Sequence, residues 1–209
     1  MKLLYYLPNN AGYEEVKILH GDFCKIYYVD EWMGDRLEAL LGGIIGLTGC
    51  YNETKIGRDI DTKYLEKYDD GTFEWHADIG SVKSKFTFMV TDTKEKLLFK
   101  VFEYEYTENK DENGKDIWDE HCVFENTISL ISLIDDLIFS CEQMLSKYGL
   151  IGYYENCWNE FPVYHFLLLK NYRQQKICFQ YFDEDIDHKS VSMTKTNLST
   201  ELEFLLNAK

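Results

Sequence analysis

The chain contains very little proline: only Pro8 and Pro162 occur among its 209 residues. No proline-rich or serine-rich stretch separates one part of the chain from another, and neither an internal repeat nor a low-complexity tract is visible. A linker between domains normally shows one of these compositions. The sequence therefore predicts a single domain over residues 1–209, a length that needs no metal ion or disulfide to complete its core.

Long apolar runs are also absent, because no segment approaches 18 uninterrupted apolar residues. This argues against a membrane-spanning helix. The apolar stretch at residues 3–7 is too short for the hydrophobic region of a signal peptide, and no small-residue cleavage site follows it. We therefore expect the protein to stay in the cytoplasm.

The six cysteines show no pairing pattern, since they are widely separated and none forms a C-x-x-C motif. A chain of this size does not depend on disulfide bridges. Cysteine often behaves as a small buried apolar residue. We therefore expect reduced, mostly buried thiols at Cys24, Cys50, Cys122, Cys141, Cys157 and Cys178.

The common catalytic signatures are missing as well, including G-x-S-x-G, the Walker A loop, G-x-G-x-x-G and H-E-x-x-H. The acidic residues around Asp59 and Asp69 do not have the spacing of a calcium loop. In the run Asp119–Cys122 only alternate residues can share a strand face, and two ligands do not make a closed metal site. The sequence therefore predicts no catalytic residues, no cofactor and no metal site.

What the chain has in excess is negative charge: 37 acidic residues against 22 Lys and Arg residues give a net charge of −15. A field of this sign repels nucleic-acid phosphates and anionic membranes, which argues against both as partners. It attracts a basic protein. A charge that serves solubility alone is the alternative interpretation.

Alternation of apolar and polar residues predicts antiparallel strands in the first 30 residues and a meander in the centre of the chain. In the first strand of the meander, Phe73, Trp75 and Ala77 fall on one side, and Glu74 and His76 fall on the other. The apolar positions of the next two strands are Phe86, Phe88, Val90, Leu97, Phe99 and Val101. Asn113-Gly114 then indicates a hairpin turn, and the returning strand spans residues 117–125.

Helical periodicity follows the meander. The pattern over residues 131–148 predicts an amphipathic helix that begins at a cap, Asn126 or Thr127, and ends at Gly149 in a left-handed conformation. Pro162 indicates the first turn of a second helix. An earlier helix begins at Asp35, a short strand covers residues 177–182, and residues 201–207 form a last helical turn. The predicted fold class is α+β: an antiparallel meander of about four or more strands with C-terminal helices on one face.

The hairpin between residues 103 and 125 is the most acidic part of the chain, with nine acidic residues against Lys110 and Lys115. Aromatic residues alternate with the carboxylates, and such rings act as anchors at protein interfaces. One interpretation is a docking surface for a basic protein, and the other is a solvated loop tip that prevents edge-to-edge pairing. The predicted partner-binding residues are Glu103, Tyr104, Glu105, Tyr106, Glu108, Asp111, Glu112, Asp116, Trp118, Asp119 and Glu120.

Short motifs carry a resemblance to a group of known proteins. They are Phe73–His76, Lys147–Leu150, Trp158–Pro162 and Phe166-Leu167. The chain resembles the small acidic cytoplasmic proteins that bacteria encode beside secreted polymorphic or contact-dependent toxins. The resemblance covers about half of the chain and implies an immunity protein that binds and blocks a cognate toxin domain. It implies no active-site residues, because such proteins act by covering their target.

Two other functions stay open. An enzyme with a dispersed site would use His76, Glu74 and His121, and it requires these residues to converge in one pocket. A structural or regulatory subunit of a bacterial or phage assembly would instead show an exposed apolar patch or a stable homo-oligomer.

Overall fold

The chain adopts an α+β fold, as the sequence predicts. The computed structural model describes residues 1–8, 13–30, 35–48, 68–69, 71–79, 81–93, 95–110, 113–114, 116–175, 180–186, 189–195 and 198–206. Within these ranges all strand pairs are antiparallel. That residues 1–209 form a single domain stays a prediction.

Three sheets contain the described strands. The first sheet has the order β1-β2-β3, with β1 at Lys2–Tyr6, β2 at Tyr13–His20 and β3 at Phe23–Asp30. The second is a meander with the order β4-β5-β6-β7-β8, formed by Tyr68–Asp69, Thr72–Ile79, Val82–Val90, Lys96–Lys110 and Asp116–Ser129. The third pairs β9, Gln180–Ile186, with β10, Lys189–Lys195. The predicted meander is therefore confirmed.

Four helices are described: α1 at Arg36–Leu47, α2 at Leu130–Cys157, α3 at Val163–Gln175 and α4 at Leu198–Leu206. Helix α1 begins where the sequence predicts, with Asp35 as its N-cap, and the Oδ1 of Asp35 accepts a hydrogen bond of 2.7 Å from the Glu38 backbone N–H. The hydrogen bond satisfies one of the donors that the first turn of a helix leaves free.

The predicted start of the long helix α2 was wrong, and its predicted end at Gly149 is a break between two helical segments. Ser129 is its N-cap, whereas Asn126 and Thr127 belong to β8, because the strand continues four residues past its predicted end. Gly149 does have a positive φ of 63°, as predicted. The helix nevertheless resumes after this break and continues to Cys157. One left-handed residue therefore redirects α2 instead of ending it.

The core lies where the apolar sides of the two larger sheets meet. Every second residue of β5 is buried, which confirms the alternation predicted for Phe73, Trp75 and Ala77. Phe86 on β6 links the sheets, because its ring lies 5.0 Å from that of Tyr27 on β3 and 5.1 Å from that of Trp75. Aromatic pairs at such distances add stabilisation beyond the burial of area.

Helix α2 covers the edge of the first sheet. The backbone N–H of Leu3 donates to Asp136 at 2.9 Å, and that of Tyr5 donates to Ser140 at 3.0 Å. Further along the helix, the hydroxyl of Tyr148 donates to the Leu7 carbonyl at 2.8 Å. Polar side chains of the helix thus take the place of a further strand and protect an edge that would otherwise be open to pairing.

The described cysteines differ from the prediction in part. Cys141 and Cys157 are buried, but Cys24 and Cys122 are exposed. The expectation that the thiols are mostly buried fails for these two, because both lie on the outward sides of their strands. Cys50 and Cys178 lie outside the described residues.

Helix α1 makes its closest approach to the meander at Gly43. A Cβ atom added there would overlap the ring of Phe73, a buried residue of β5. The glycine weakens the helix intrinsically, by roughly 1 kcal/mol relative to alanine. The packing of the Phe73 ring against the bare backbone explains why a glycine occupies this position.

We therefore expect Gly43→Ala to destabilise the protein by about 1–3 kcal/mol, because overpacking against Phe73 outweighs the gain in helix propensity. Gly152→Ala on α2 is the matched control, since its Cβ would meet only Tyr148 at an ordinary 3.5 Å. That control should stabilise the protein by about 0.5–1 kcal/mol. Urea unfolding of both variants measures the difference. Equal effects on stability would show that Gly43 is not a packing constraint.

Candidate functional site

The hairpin of β7 and β8 extends beyond the rest of its sheet. Pairing between β6 and β7 ends at Lys83 and Tyr104, whereas β7 and β8 stay paired through Tyr106 and Trp118 to Lys110 and Asp116. Past Tyr104, β7 therefore has a strand neighbour on one side only among the described residues. We call the outer part of this hairpin, residues 103–110 and 116–121, the acidic ribbon; it is two-stranded past Tyr104.

A bulge in β8 sets the register of the acidic ribbon. Val101 lies opposite Phe124, but the next residue, Phe102, lies opposite Cys122. Val123 is therefore the extra residue of a β-bulge. From there to the tip, Tyr104 faces Glu120 and Tyr106 faces Trp118.

One face of the ribbon carries aromatic rings. The Tyr104 hydroxyl donates to Glu120 at 2.6 Å, and the ring of Tyr106 meets that of Trp118 edge-on at 5.3 Å. Near the tip, the Tyr106 hydroxyl lies 3.4 Å from Asp116. We call these five side chains the aromatic face. Tyr106 is 49% exposed, so the face is accessible to a partner.

Two lysines of β6 support the aromatic face. Lys85 Nζ lies 2.6 Å from Glu120, and Lys83 Nζ lies 4.5 Å from the centre of the Trp118 ring. The hydrogen bonds that Glu120 accepts from Lys85 and Tyr104 lower its pKa. Glu120 is therefore a charged, hydrogen-bonded support for Tyr104, and its charge is compensated within the sheet.

The opposite face of the ribbon carries the carboxylates whose charge is less balanced by nearby lysines. Glu105 lies opposite Asp119, and its side chain is 81% exposed. Its Oε2 is 4.0 Å from His121 Nε2. Further in, Glu103 forms an ion pair with Lys25 of β3. The exposed negative charge of this face therefore lies mainly on Glu105 and Asp119.

The structure thus divides the predicted partner-binding residues between two faces, because side chains alternate along a strand. Glu103, Glu105 and Asp119 lie on the carboxylate side, and the other described members lie on the aromatic face. Glu108 belongs to β7, and its side chain is not described. Asp111 and Glu112 lie outside the described residues. The local excess of acid is smaller than the sequence suggests, because Lys25, Lys85 and Lys100 reach it from other positions.

The residues of the dispersed enzyme site do not converge. Glu74 and His76 lie on the outward side of β5, and burial lowers the pKa of His76. His121 lies opposite Glu103 on the other face of the sheet, three strands away. Neighbouring strands are about 4.8 Å apart, which adds roughly 14 Å to the separation between faces. These three side chains therefore cannot act on one substrate atom.

The sequence analysis missed a buried polar cluster around Glu14. This carboxylate accepts hydrogen bonds from the hydroxyls of Tyr5 and Tyr153, the second at 2.9 Å, and all three residues are buried. Position 14 shares a side of β2 with Val16 and Ile18, so strand alternation indicated its burial. The enclosed position gives the cluster a structural role, in which two phenols satisfy an internal carboxylate.

Asp35 belongs to the surroundings of this cluster. Its pKa is raised to about 7, mainly by burial and in smaller part by the nearby charges of Glu14 and Glu38, against the opposing effect of the hydrogen bond from the Glu38 N–H. A carboxylate at a helix N-terminus is otherwise favourable. Here the loss of hydration outweighs that effect.

Comparisons with known proteins give no relative for this arrangement: no protein-family description, no curated protein and no solved structure matches the chain. None of the described helices combines the length and the apolar character needed to span a membrane. In the described part of the chain, no three His, Cys, Asp or Glu side chains are grouped so that they could hold a metal ion.

We expect Asp35→Asn to stabilise the protein at pH 8 by about 1–3 kcal/mol and to have less effect at pH 5. The folded-state pKa of about 7 lies above the ordinary 3.8, so the folded state holds the proton more tightly. The stability from this group is therefore greatest at low pH and is lost as the pH rises from about 4 to about 7. Asparagine keeps the cap without the charge.

Urea unfolding at the two pH values measures this effect. Asp135→Asn, an exposed residue of α2 paired with Arg173, is the matched control and should change stability similarly at both. If Asp35→Asn loses stability at pH 8, the buried charge is not destabilising.

Proposed function

We propose that this chain is a cytoplasmic protein-binding inhibitor that covers a basic protein, as an immunity protein covers its cognate toxin domain. The observation that carries the proposal is the aromatic face of the acidic ribbon. It presents Tyr104, Tyr106 and Trp118 on paired strands that extend past β6. An enzyme site is less well supported, because Glu74, His76 and His121 lie apart.

The aromatic face has the properties of a binding anchor. Its rings are held by the edge-on contact of Tyr106 with Trp118 and by the bond from Tyr104 to Glu120. Tyrosine and tryptophan bring large contact areas with few rotatable bonds. Since these side chains are already fixed, binding sacrifices little conformational freedom. The energetic centre of the proposed interface is therefore the Tyr106–Trp118 pair.

The charge distribution favours a basic partner. The chain carries a net charge of −15, and Glu105 and Asp119 add an exposed negative surface beside the anchor. Opposite charges accelerate encounter and select against acidic competitors. Many toxin domains are nucleases, which are basic because they bind phosphates. An acidic ribbon would occupy such a surface in place of the nucleic acid.

Affinity capture from cells of the source organism, at low salt, identifies the partner. The captured protein is then expressed alone and together with this chain in a host that lacks both. We expect growth arrest with the partner alone and normal growth with the pair. A captured partner whose activity is unchanged by this chain would reject inhibition while leaving binding intact.

We expect Tyr106→Ala and Trp118→Ala each to weaken binding to that partner by about tenfold to a hundredfold, because both remove a pre-positioned ring from the centre of the interface. Tyr28→Ala is the matched control: Tyr28 is also an exposed aromatic residue, on β3 of the first sheet, and its replacement should leave affinity unchanged. Isothermal titration calorimetry gives the three affinities. An equal loss in the control would remove the aromatic face from the interface.

Charge reversal tests the carboxylate side separately. Glu105→Lys with Asp119→Lys should slow association about tenfold at low salt and have little effect on dissociation, because exposed charges act mainly on encounter. Asp22→Lys with Asp92→Lys changes the net charge equally but lies off the ribbon. Stopped-flow association at several salt concentrations compares the two pairs. If both pairs slow association equally, the overall charge and not the ribbon attracts the partner.

A further inference from the structure

Four large apolar side chains lie exposed on the last part of α2, after its break at Gly149. Leu150 is 48% exposed, Ile151 77%, Tyr154 54% and Trp158 72%. Since each helical residue turns by about 100°, these positions fall within an arc of roughly 100°. We call this arc the apolar ridge. Contiguous exposed apolar surface of this kind marks an interaction site more often than an isolated exposed leucine does.

The ridge is held in a fixed orientation. Tyr153 and Cys157, on the neighbouring side of the same helical segment, are buried in the core. Trp158 ends the helix, and its backbone N–H donates to the Tyr154 carbonyl at 2.8 Å. Its φ of 56° is left-handed, which is uncommon for a residue other than glycine. The surface is therefore preformed and needs no rearrangement to bind.

Charged residues are arranged unequally along the ridge. Lys147 precedes the break, and no Lys or Arg follows it until Lys170. Glu155 and Glu160 lie at the other end, and both are exposed. The ridge thus has one basic end, one acidic end and an apolar middle.

We propose that the apolar ridge is a self-association surface, at which two copies of this chain pack α2 against α2 in antiparallel directions. Tyr154 lies midway between Leu150 and Trp158, so a two-fold axis near Tyr154 brings the large Trp158 against the partner's smaller Leu150 and Ile151. The same axis directs Lys147 toward the acidic end of the partner. A two-fold contact requires such self-complementarity.

The size of the ridge fits a weak dimer. Large side chains bury about 150–250 Å² each, so the exposed fractions of these four supply roughly 500 Å² per copy. A stable interface of standard size needs about 800 Å² per partner. The ridge therefore provides the apolar centre, and the polar residues around it have to provide the rest.

The proposed self-association does not depend on the proposed inhibitor function. The two are distinguished by how each responds to salt. Two copies that each carry a charge of −15 repel one another. Screening by salt weakens that repulsion, so self-association should strengthen as salt rises. Binding of a basic partner to the acidic ribbon should weaken under the same change.

Sedimentation velocity of the full chain at micromolar to sub-millimolar concentrations tests the proposal. We expect a reversible monomer–dimer equilibrium, with Ile151→Ser and Trp158→Ser each raising the dissociation constant about tenfold. Phe139→Ser, an exposed position on the same helix before the break, is the matched control and should leave the equilibrium unchanged. A monomer at every concentration in high salt, or a dimer unaffected by both ridge variants, would overturn the proposal.

Oxidative cross-linking tests the antiparallel arrangement. A cysteine at position 154 would meet its own copy at the two-fold axis, so Tyr154→Cys in a Cys24→Ser, Cys122→Ser background should form an intermolecular disulfide. Phe139→Cys lies on the other side of the break at Gly149, outside the apolar ridge, and should not do so. Equal cross-linking of the two variants, or none at position 154, would reject this axis. Circular dichroism and melting temperature confirm that each variant is folded.

Discussion

The bulge at Val123 determines what the acidic ribbon can present. If Val123 were paired instead of bulged, the pairing of Val101 with Phe124 would continue in step, and Tyr106 would lie opposite Asp119. Trp118 would then fall on the other face of the ribbon, and Glu105 would lie opposite Glu120. Like charges directly opposite each other destabilise a strand pair. The bulge therefore brings the aromatic rings to one face, but it does not relieve this repulsion, because Glu105 now lies opposite the acidic Asp119.

The same alternation builds the core and the ribbon, because β7 runs through both. Its inward residues Phe99 and Val101 are buried, and the next inward residues are Glu103 and Glu105. Along β7, the inward side chains change from apolar to acidic near the position where its pairing with β6 ends. Lys25 of β3 pairs with Glu103 at this boundary, so the first acidic residue on the inward side of β7 is compensated from the first sheet.

Much of this architecture could be predicted from local sequence. The apolar sides of β5, β6 and β7 follow from a period of two, and the cap at Asp35 and the positive φ of Gly149 follow from residue chemistry. The features that were missed depend on contacts between distant positions. Resumption of α2 after Gly149 depends on burial of Tyr153 and Cys157, and compensation of Glu120 depends on Lys85, 35 residues earlier. A bulge leaves no local signal, so the division of the hairpin into two faces could not be predicted.

Some carboxylates of the ribbon are paired with lysines and others are not, and this difference explains how an acidic surface can also carry an apolar anchor. Covering an unpaired carboxylate removes its hydration, and the penalty is large unless a cation replaces the water. Beside the Tyr106–Trp118 pair, Glu120 is already neutralised by Lys85 and bonded to Tyr104, so a partner can cover it at small cost. Glu105 and Asp119, on the other face, keep their hydration and their field. In the proposed interface, the alternation of the ribbon therefore places the charges that would attract a partner on one face and the rings that would bind it on the other.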